Sequence, residues 1–582
     1  MPLLRRVGEL LASPRARVLV PLVGVILTLP SLAGGLLLDD LLHRAKARGL
    51  FGHDLWSRLD LFTFIPGDRA RQVPLRESGF LPWFAAPDLK LAFLRPVSAL
   101  LHLFDYTVLD GAPWAMHAES VALYAVSIAL AAALYRRLLP PAVAILAALL
   151  FAIDDAHGLP VAWLANRNAL IGTSFGLLAV MAHHRWRREG WKPGAWLGPL
   201  AFGTALLSAE LGLGTLAYLV AYAVALDPSP RAKRAWALAP YFAVVIAWQM
   251  VYRRLGYGAH ATGLYIDPGA DIVEFLRAAP GHAAALFIGQ LALPPADVYG
   301  FAPGWAQALT VVAAIVLAAF AAWVLTPRLR ADPVTRFLAL GMLLSIAPVL
   351  ASFPSDRTLF FAGVGGSGLV AQVIGDLREP AIAGTTARAR CERGLRWFWI
   401  AVHLVVAPLV LPSQCAALGV AARSAARTAA TFPLDPDVAE KTLILVNTPT
   451  VLYAEPLLAS LDPARPSPKR LRGLAATTGH VAITREAART LDVALQPDAV
   501  PDLAATIFCD PTHPLRVGDE LDAPGLHVTV LGLSDRNLPV HTRYRFDRDL
   551  DDTSYLWVGY DGTAFYQAKA PRIGERVVFG SK

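Results

Sequence analysis

The chain has 582 residues, 55% of them hydrophobic and only 17% charged, with a mean hydropathy of +0.46; an ordinary water-soluble domain does not carry so much apolar surface and is excluded. The formal net charge of +8 and pI of about 9.4 come from short loops between apolar runs. No basic stripe interleaved with aromatics stands out, which argues against nucleic acid and for contact with anionic lipid headgroups.

A bilayer core of ~30 Å needs roughly 20 apolar residues rising ~1.5 Å each. In chain order, spans are expected near 17–38, 116–135, 141–156, 162–182, 195–209, 211–226, 236–252, 306–326, 337–353, 358–375 and 395–413, about eleven crossings by hydropathy. Those at 141–156, 195–209 and 211–226 are short, so they are expected to be thin, tilted or packed inside the bundle. The first span follows arginines as a signal peptide would, but it is long and lacks a small-residue cleavage site, so it is expected to be retained. The stretch 279–294 (PGHAAALFIGQLALPP) suits a re-entrant or interfacial segment by its length and double proline, and were it to cross, the parity after it would invert.

Lysine and arginine in short loops stay cytoplasmic. Arg5, Arg6, Arg15 and Arg17 therefore place the N-terminus inside, and Arg136 and Arg137, the HHRWRRE run from His183, Arg231 to Arg234, Arg328 to Arg336 and Arg378 to Arg396 agree. The Ala/Arg-rich chain reads as a bacterial product of a GC-rich genome, in the cytoplasmic (inner) membrane.

Three regions are expected: a transmembrane domain over 1–413 with a large outer loop at 39–113, an Ala/Arg-rich connector over 414–435, and a periplasmic β-rich accessory domain over 436–582. The tail carries strand-like runs, TLILVNT near 442, GLHVTVLGL at 525–533, SYLWVGYDGTAFYQAK at 554–569 and ERVVFG near the end, with Asp561-Gly562 marking a hairpin. It lacks a nucleotide-binding glycine loop and paired metal ligands, which points to a binding or packing role. No 34-residue helical repeat follows the membrane region. Cys391, Cys415 and Cys509 lack metal-ligand spacing. Cys415 and Cys509 share the outer, oxidising side and either pair or are two unrelated small residues.

Charged residues at membrane depth are costly and tend to mark function. Four clusters qualify, all on the outer side of the positive-inside map. LLLDDLLHR places Asp39 and Asp40 directly after the first span, as a general base, as metal ligands or as a solvated helix end. AIDDAHGLPVAWLANRN places Asp154, Asp155 and His157 at the end of one span and Arg167 inside the next; the histidine suits proton transfer, metal binding or loop orientation, and the arginine needs a lipid phosphate or one of these aspartates as partner. LLSAELGLG places Glu210 at the rim. SFPSDRTLFFAGVGG places Asp356 and Arg357 there, with glycines behind them for close helix packing.

The stretch from Phe93 to about Trp186 resembles the membrane half of the transmembrane, TPR-containing O-mannosyltransferase-like proteins of the GT-C glycosyltransferase superfamily. FLRPVSALLHLFDYTVLDGAPWAMHAESVALYAV is similar to that family's RPL segment and following helix, and AILAALLFAIDDAHGLPVAWLANRNALIGTSFGLLAV to its LFAxHPxHxExVAWIAGRxDLLA stretch. LLSAE resembles its LLSKE, and SDRTLFFAGVGGSGL its ERYLYLPSLGFSLLL, so the likeness touches most of the chain from Leu38 to Leu369. Ala209 stands where the family has lysine, and a β-rich tail replaces the repeated helices.

The resemblance implies an inverting sugar transfer from a polyprenyl-phosphate donor to an acceptor hydroxyl of a glycan, lipid or protein on the outer face. Asp40, with Asp39 beside it, is the implied base, and Arg95, Arg167 or Arg357 the cation for the donor phosphate. Asp154, Asp155, His157, Glu210 and Asp356 complete the implied donor and substrate site. The residues name no cofactor, and the acidic pairs leave a divalent cation open. Phe62, Phe64, Trp83 and Phe84 in the outer loop suit sugar or lipid contacts, or anchoring at the headgroups. A transporter or lipid flippase, or a non-catalytic scaffold, would use the same intramembrane charges.

Overall fold

The computed structural model describes residues 16–49, 52–375, 387–433, 436–453, 468–499 and 502–580; of the cations that orient the chain, Arg5, Arg6, Arg15 and Arg378 lie outside them. Among the described residues six helices are long and apolar enough to cross a membrane: Pro113–Leu138, Arg231–Arg254, Ile272–Leu291, Gly304–Ala331, Pro333–Ala351 and Ala387–Ala430. The pair Pro141–Ala152 and Asp155–Ala162, bent by 47°, makes a seventh if taken as one span. Length and composition thus give six or seven where about eleven are expected. The shortfall has a simple cause. Gly194–Leu206, Gly214–Ala225 and Phe360–Gly375 have 13, 12 and 16 residues, a reach of only about 18–24 Å. Asn168–Glu189 is longer, with 22 residues, but ends in the HHRWRRE run.

Two expectations change at the level of elements. The stretch 279–294 is the end of a continuous 20-residue helix that tolerates Pro280 inside it. The connector expected over 414–435 is helical as far as Ala430, because alanine and arginine are strong helix formers; a π-helical stretch, Ile400–Val406, joins it to the helix before it.

The described chain forms two compact units, and they cut across the expected domain boundaries. The first comprises Met1–Gly35, Leu94–Leu255 and Asp271–Val420; the second Leu36–Phe93, Gly256–Ala270 and Ala421–Lys582. Most of the first outer loop therefore belongs with the tail.

The core of the first unit centres on Phe360–Gly375, a helix apolar on all sides and buried on nearly all of them, as a bundle-interior helix must be. Tyrosine hydroxyls from neighbouring helices lock it: Tyr135 donates to the Val364 carbonyl and Tyr218 to the Phe361 carbonyl, both at 2.6 Å.

The second unit holds three sheets. Strands β1 (Thr63–Pro66), β2 (Lys90–Ala92) and β3 (Gly258–His260) form a small antiparallel one. In the tail, β4 (Thr442–Leu445), β5 (Arg470–Gly473), β11 (Tyr555–Tyr560) and β12 (Phe565–Gln567) are ordered β12-β11-β4-β5. Strands β6 (Val481–Ala487), β7 (Thr490–Leu495), β8 (Glu520–Ala523), β9 (Leu526–Leu533), β10 (Pro539–Phe546) and β13 (Arg576–Phe579) form an antiparallel sheet ordered β13-β6-β7-β10-β9-β8. The expected runs are strands, and Asp561-Gly562 turns β11 into β12, with Gly562 at φ 100°. The Asp561 carboxylate holds that turn by accepting the amides of Thr563 and Ala564 at 2.9 and 2.8 Å. Tail and loop share a core in which Leu42, Ile65, Phe80 and Leu91 meet Ala261 and Phe508. All three cysteines are free thiols, so of the two readings of Cys415 and Cys509 the one that pairs them does not hold.

Candidate functional site

Asp39 and Asp40 open the helix Asp39–Ala47 in the second unit. The residue before them, Leu38, has φ 49° and ψ −114°, a left-handed backbone that costs a leucine about 1–3 kcal/mol and tends to persist where function needs it. Asp40 is 1% exposed and its Oδ2 accepts the Leu37 amide at 3.0 Å; Asp39 is half-buried. His43, one turn on and on the same face, is buried edge-on against Phe62 at 4.6 Å. Lys46 donates to the carbonyls of Asp60, at 3.0 Å, and Thr63. This helix is amphipathic in an unusual sense, since its buried face carries an acid, a histidine and a lysine. Of the aromatics expected to meet sugar, lipid or headgroups, Phe62 is buried beside His43, while Phe64, Trp83 and Phe84 are half-buried, with Trp83 edge-on to Phe84 and Tyr544 at 5.2 and 6.1 Å.

In the first unit the structure brings two of the sequence clusters into one place. The turn Asp155–His157 packs against the turn Asp356–Thr358. Asp154 Oδ1 caps the first turn through the Ala156 amide at 3.1 Å, and its Oδ2 accepts from Gln290 Nε2 at 3.3 Å. His157 is fully buried, stacked on Phe360 at 4.0 Å, with Nδ1 bonded to the Tyr124 hydroxyl at 3.0 Å. Asp356 Oδ1 accepts the Ala296 amide at 2.8 Å, while its own amide donates to Asp297 Oδ2 at 2.9 Å. Burial, then the nearby Asp297 carboxylate, push the Asp356 carboxyl well above the usual range.

Gly363 faces this arrangement. A Cβ there would stand 3.5 Å from Asp154 Oδ2, 3.6 Å from Gln290 Oε1 and 3.7 Å from His157 Nε2, so three polar atoms converge on the space beside this glycine. Gln290 Oε1 and His157 Nε2 have no hydrogen-bond partner among the described residues. Such orphaned buried acceptors and donors are rare unless a site needs them.

The three candidate cations have different fates. Arg167 is fully buried, with Nη1 at 2.6 Å from Asp105 Oδ2 and 3.1 Å from Glu119 Oε2, and Nη2 donating to the Met116 carbonyl at 2.9 Å. Its carboxylate partners are thus Asp105 and Glu119 rather than Asp154 and Asp155. Arg95 is held by Glu210, with Nε and Nη2 both 2.7 Å from Oε2, and Tyr252 donates to Oε1 at 3.4 Å; a donor phosphate would have to displace that pair. Arg357 lies over the Trp163 ring at 5.8 Å and, among the described residues, makes no carboxylate ion pair.

Gln290, Asp297, Asp105, Glu119 and Gly363 were not singled out from the sequence. The first four carried a signal, because each is a polar or acidic residue in or beside an apolar run; Gly363 carried none beyond its place in a glycine-rich helix. Among the described residues no group of three or more His, Cys, Asp or Glu is placed to hold a metal ion.

The apolar helices and the acidic groups beside them make this an integral-membrane protein, mostly helical, with a β-rich tail. No family model matches the chain, and no curated protein matches it. Among solved structures it is similar to the oligosaccharyltransferase of Archaeoglobus fulgidus in the apo form, with a TM-score of 0.45 and 13% identity over 80% of this chain and 65% of that one. It is also similar to ArnT from Cupriavidus metallidurans bound to undecaprenyl phosphate, with a TM-score of 0.38 and 13% identity over 78% of this chain and 86% of that one. The chain spans less than two thirds of the length of the archaeal protein.

Proposed function

We propose that the chain is an inverting glycosyltransferase of GT-C type that moves a sugar from a polyprenyl-phosphate donor to an acceptor hydroxyl on the outer face of a bacterial cytoplasmic membrane. One observation carries this reading. The stretches around residues 154–167 and 356–369, matched separately and in order by the family resemblance, fold so that their polar turns pack together around the converging atoms at Gly363.

In the transfer the acceptor oxygen attacks the anomeric carbon from the face opposite the donor phosphate. The bond from that carbon to the phosphate oxygen breaks, and polyprenyl phosphate leaves with the electron pair. An acceptor hydroxyl does not ionise near neutrality, so its proton passes to a positioned carboxylate as the new bond forms. Asp40 is that base, fixed by burial and by the Leu37 amide, with Asp39 beside it. Arg357, unlike Arg95 and Arg167, has no carboxylate to give up among the described residues and takes the donor phosphate by charge-assisted hydrogen bonds. Asp154, Asp155, His157 and Asp356 shape the donor side.

The test supplies labelled polyprenyl-phosphate sugars to the full chain in liposomes and measures release of polyprenyl phosphate. Asp40→Asn is expected to lower the rate by about 10²–10⁴-fold, Asp39→Asn by less, and Arg357→Ala to weaken donor use with partial rescue by Arg357→Lys. Identical release by wild type and Asp40→Asn would remove the catalytic assignment, and no release with any donor would favour a transporter or scaffold.

A further inference from the structure

The second unit contains a cavity of about 270 Å³ that the transfer does not use. It is walled by the outer-loop segment 73–84 and by residues of β5, β7, β8 and β10, and much of its lining is apolar, including Trp83, Leu474, Val493, Leu538 and Val540.

One charged side chain is set into this wall. Arg472 is 5% exposed. Its Nη1 donates to the carbonyl of Leu471 at 2.8 Å, and its Nη2 to those of Glu77 and Pro524 at 3.1 and 2.8 Å. Among the described residues its Nε has no hydrogen-bond partner. Carbonyl dipoles satisfy donors without cancelling charge, so a full positive charge is left in a low-dielectric wall. Burial pulls this guanidinium down to about 10, in keeping with that cost.

Of the three acids that line the same cavity, Glu77 is exposed and acts on Arg472 through its charge without an ion pair among the described residues, and the other two are committed elsewhere. Asp502 accepts the Thr450 hydroxyl and the amides of Val451 and Ala504 at 2.8, 2.7 and 3.0 Å, and Asp522 pairs with His527 at 2.7 Å. The cavity therefore combines apolar walls with a buried cation that keeps one unused donor and, among the described residues, makes no ion pair. Pockets built this way take ligands with an apolar body and one oriented polar group.

We infer that this cavity binds a small amphipathic anion, a carboxylate or phosphate monoester on an aromatic or short acyl body, with its oxyanion at Arg472 and its body against Trp83 and Val540. The site is independent of the transfer proposed above, since none of its residues takes part in that chemistry.

The test uses the full chain in lipid nanodiscs, with empty nanodiscs to subtract partitioning, and isothermal titration of 4-phenylbutyrate, phenyl phosphate and the neutral 4-phenylbutyramide. At least one anion is expected to bind wild type about tenfold or more tighter than the amide, and which anion does so identifies the headgroup. Arg472→Gln, if it melts as wild type does, is expected to lower that affinity about tenfold. Val540→Trp keeps Arg472 and fills the cavity, and is expected to abolish binding. Equal binding of amide and anions, binding that survives Val540→Trp, or no binding of either anion to wild type would each overturn the inference.

Discussion

Arg167 and Arg357 look alike in the sequence, each an arginine at the edge of an apolar run, yet the structure gives them opposite circumstances. Arg167 joins Asp105 and Glu119 with no exposure of its own, and removing one member of a buried ion pair typically costs about 3–5 kcal/mol because the others are left charged and unpaired. Arg167→Ala should therefore reduce the yield of folded protein and lower the melting temperature in detergent. Arg167→Lys should fall between the two, because an ammonium keeps the charge and loses the planar fork. Arg357→Ala, by contrast, should melt within about 0.5 kcal/mol of wild type while impairing transfer. An Arg167→Ala variant that melts like wild type would contradict a structural role for this residue. The sequence shows that Arg167 needs a partner, since burial forbids a bare guanidinium. It does not show which, because Asp105 and Glu119 approach only once their helices have packed.

At the scale of elements, the helix Phe360–Gly375 decides both packing and site, and two of its glycines do different work. At Gly365 a Cβ would meet the Leu338 carbonyl oxygen at 2.4 Å and Met342 Cβ at 2.8 Å; backbone contact of that kind cannot be relieved by turning a side chain. At Gly363 the nearest atoms are polar and 3.5–3.7 Å away, ordinary contact distance. Gly365→Leu should therefore fail to fold. Gly363→Ala should keep its melting temperature and lose transfer activity, because the added methyl fills the space on which Asp154, Gln290 and His157 converge. Melting curves and the release assay on both variants separate the two roles, and full activity in a folded Gly363→Ala would show that the converging atoms have no part in transfer. Close packing behind Asp356 was readable from the glycine spacing, as were the β11–β12 hairpin from Asp561-Gly562 and the strand at β9 from its alternation. Strands β1 to β3 were not, since each is only three or four residues long and pairs across distant parts of the chain.

For the whole molecule the pairings set a parity that hydropathy alone leaves open. Strand β3 pairs with β2, so residues 258–260 and 90–92 share one side of the membrane, and the chain between them crosses an even number of times. Of the seven helices from Pro113–Leu138 to Arg231–Arg254, the six other than the five-residue Gly158–Ala162 meet that condition, including those too short to pass on length, with Pro96–Val108 left in the outer loop. Two of the six separate residue 92 from residue 154, so Asp154 is on that side as well. Gln290 donates to Asp154 and the Ala296 amide to Asp356, which brings residues 290 and 296 back to the side that residue 258 occupies. On that proposed topology Ile272–Leu291, although its 20 residues are long and apolar enough to cross, begins and ends on one side, as the interfacial reading of 279–294 expects. Crossings before and after it bring the proposed total back to about eleven, an odd number that sends the tail to the side opposite the N-terminus. In a background without Cys391, Cys415 and Cys509, single cysteines at Gly269, Gly304 and Asp535, all exposed, should react with a membrane-impermeant maleimide on intact cells. One at Lys233, also exposed, should react only after permeabilisation. Were Ile272–Leu291 a true span, Gly304→Cys would behave like Lys233→Cys, and every assignment of side after residue 291 would reverse, carrying Asp356 and Arg357 away from the face on which the transfer has to occur.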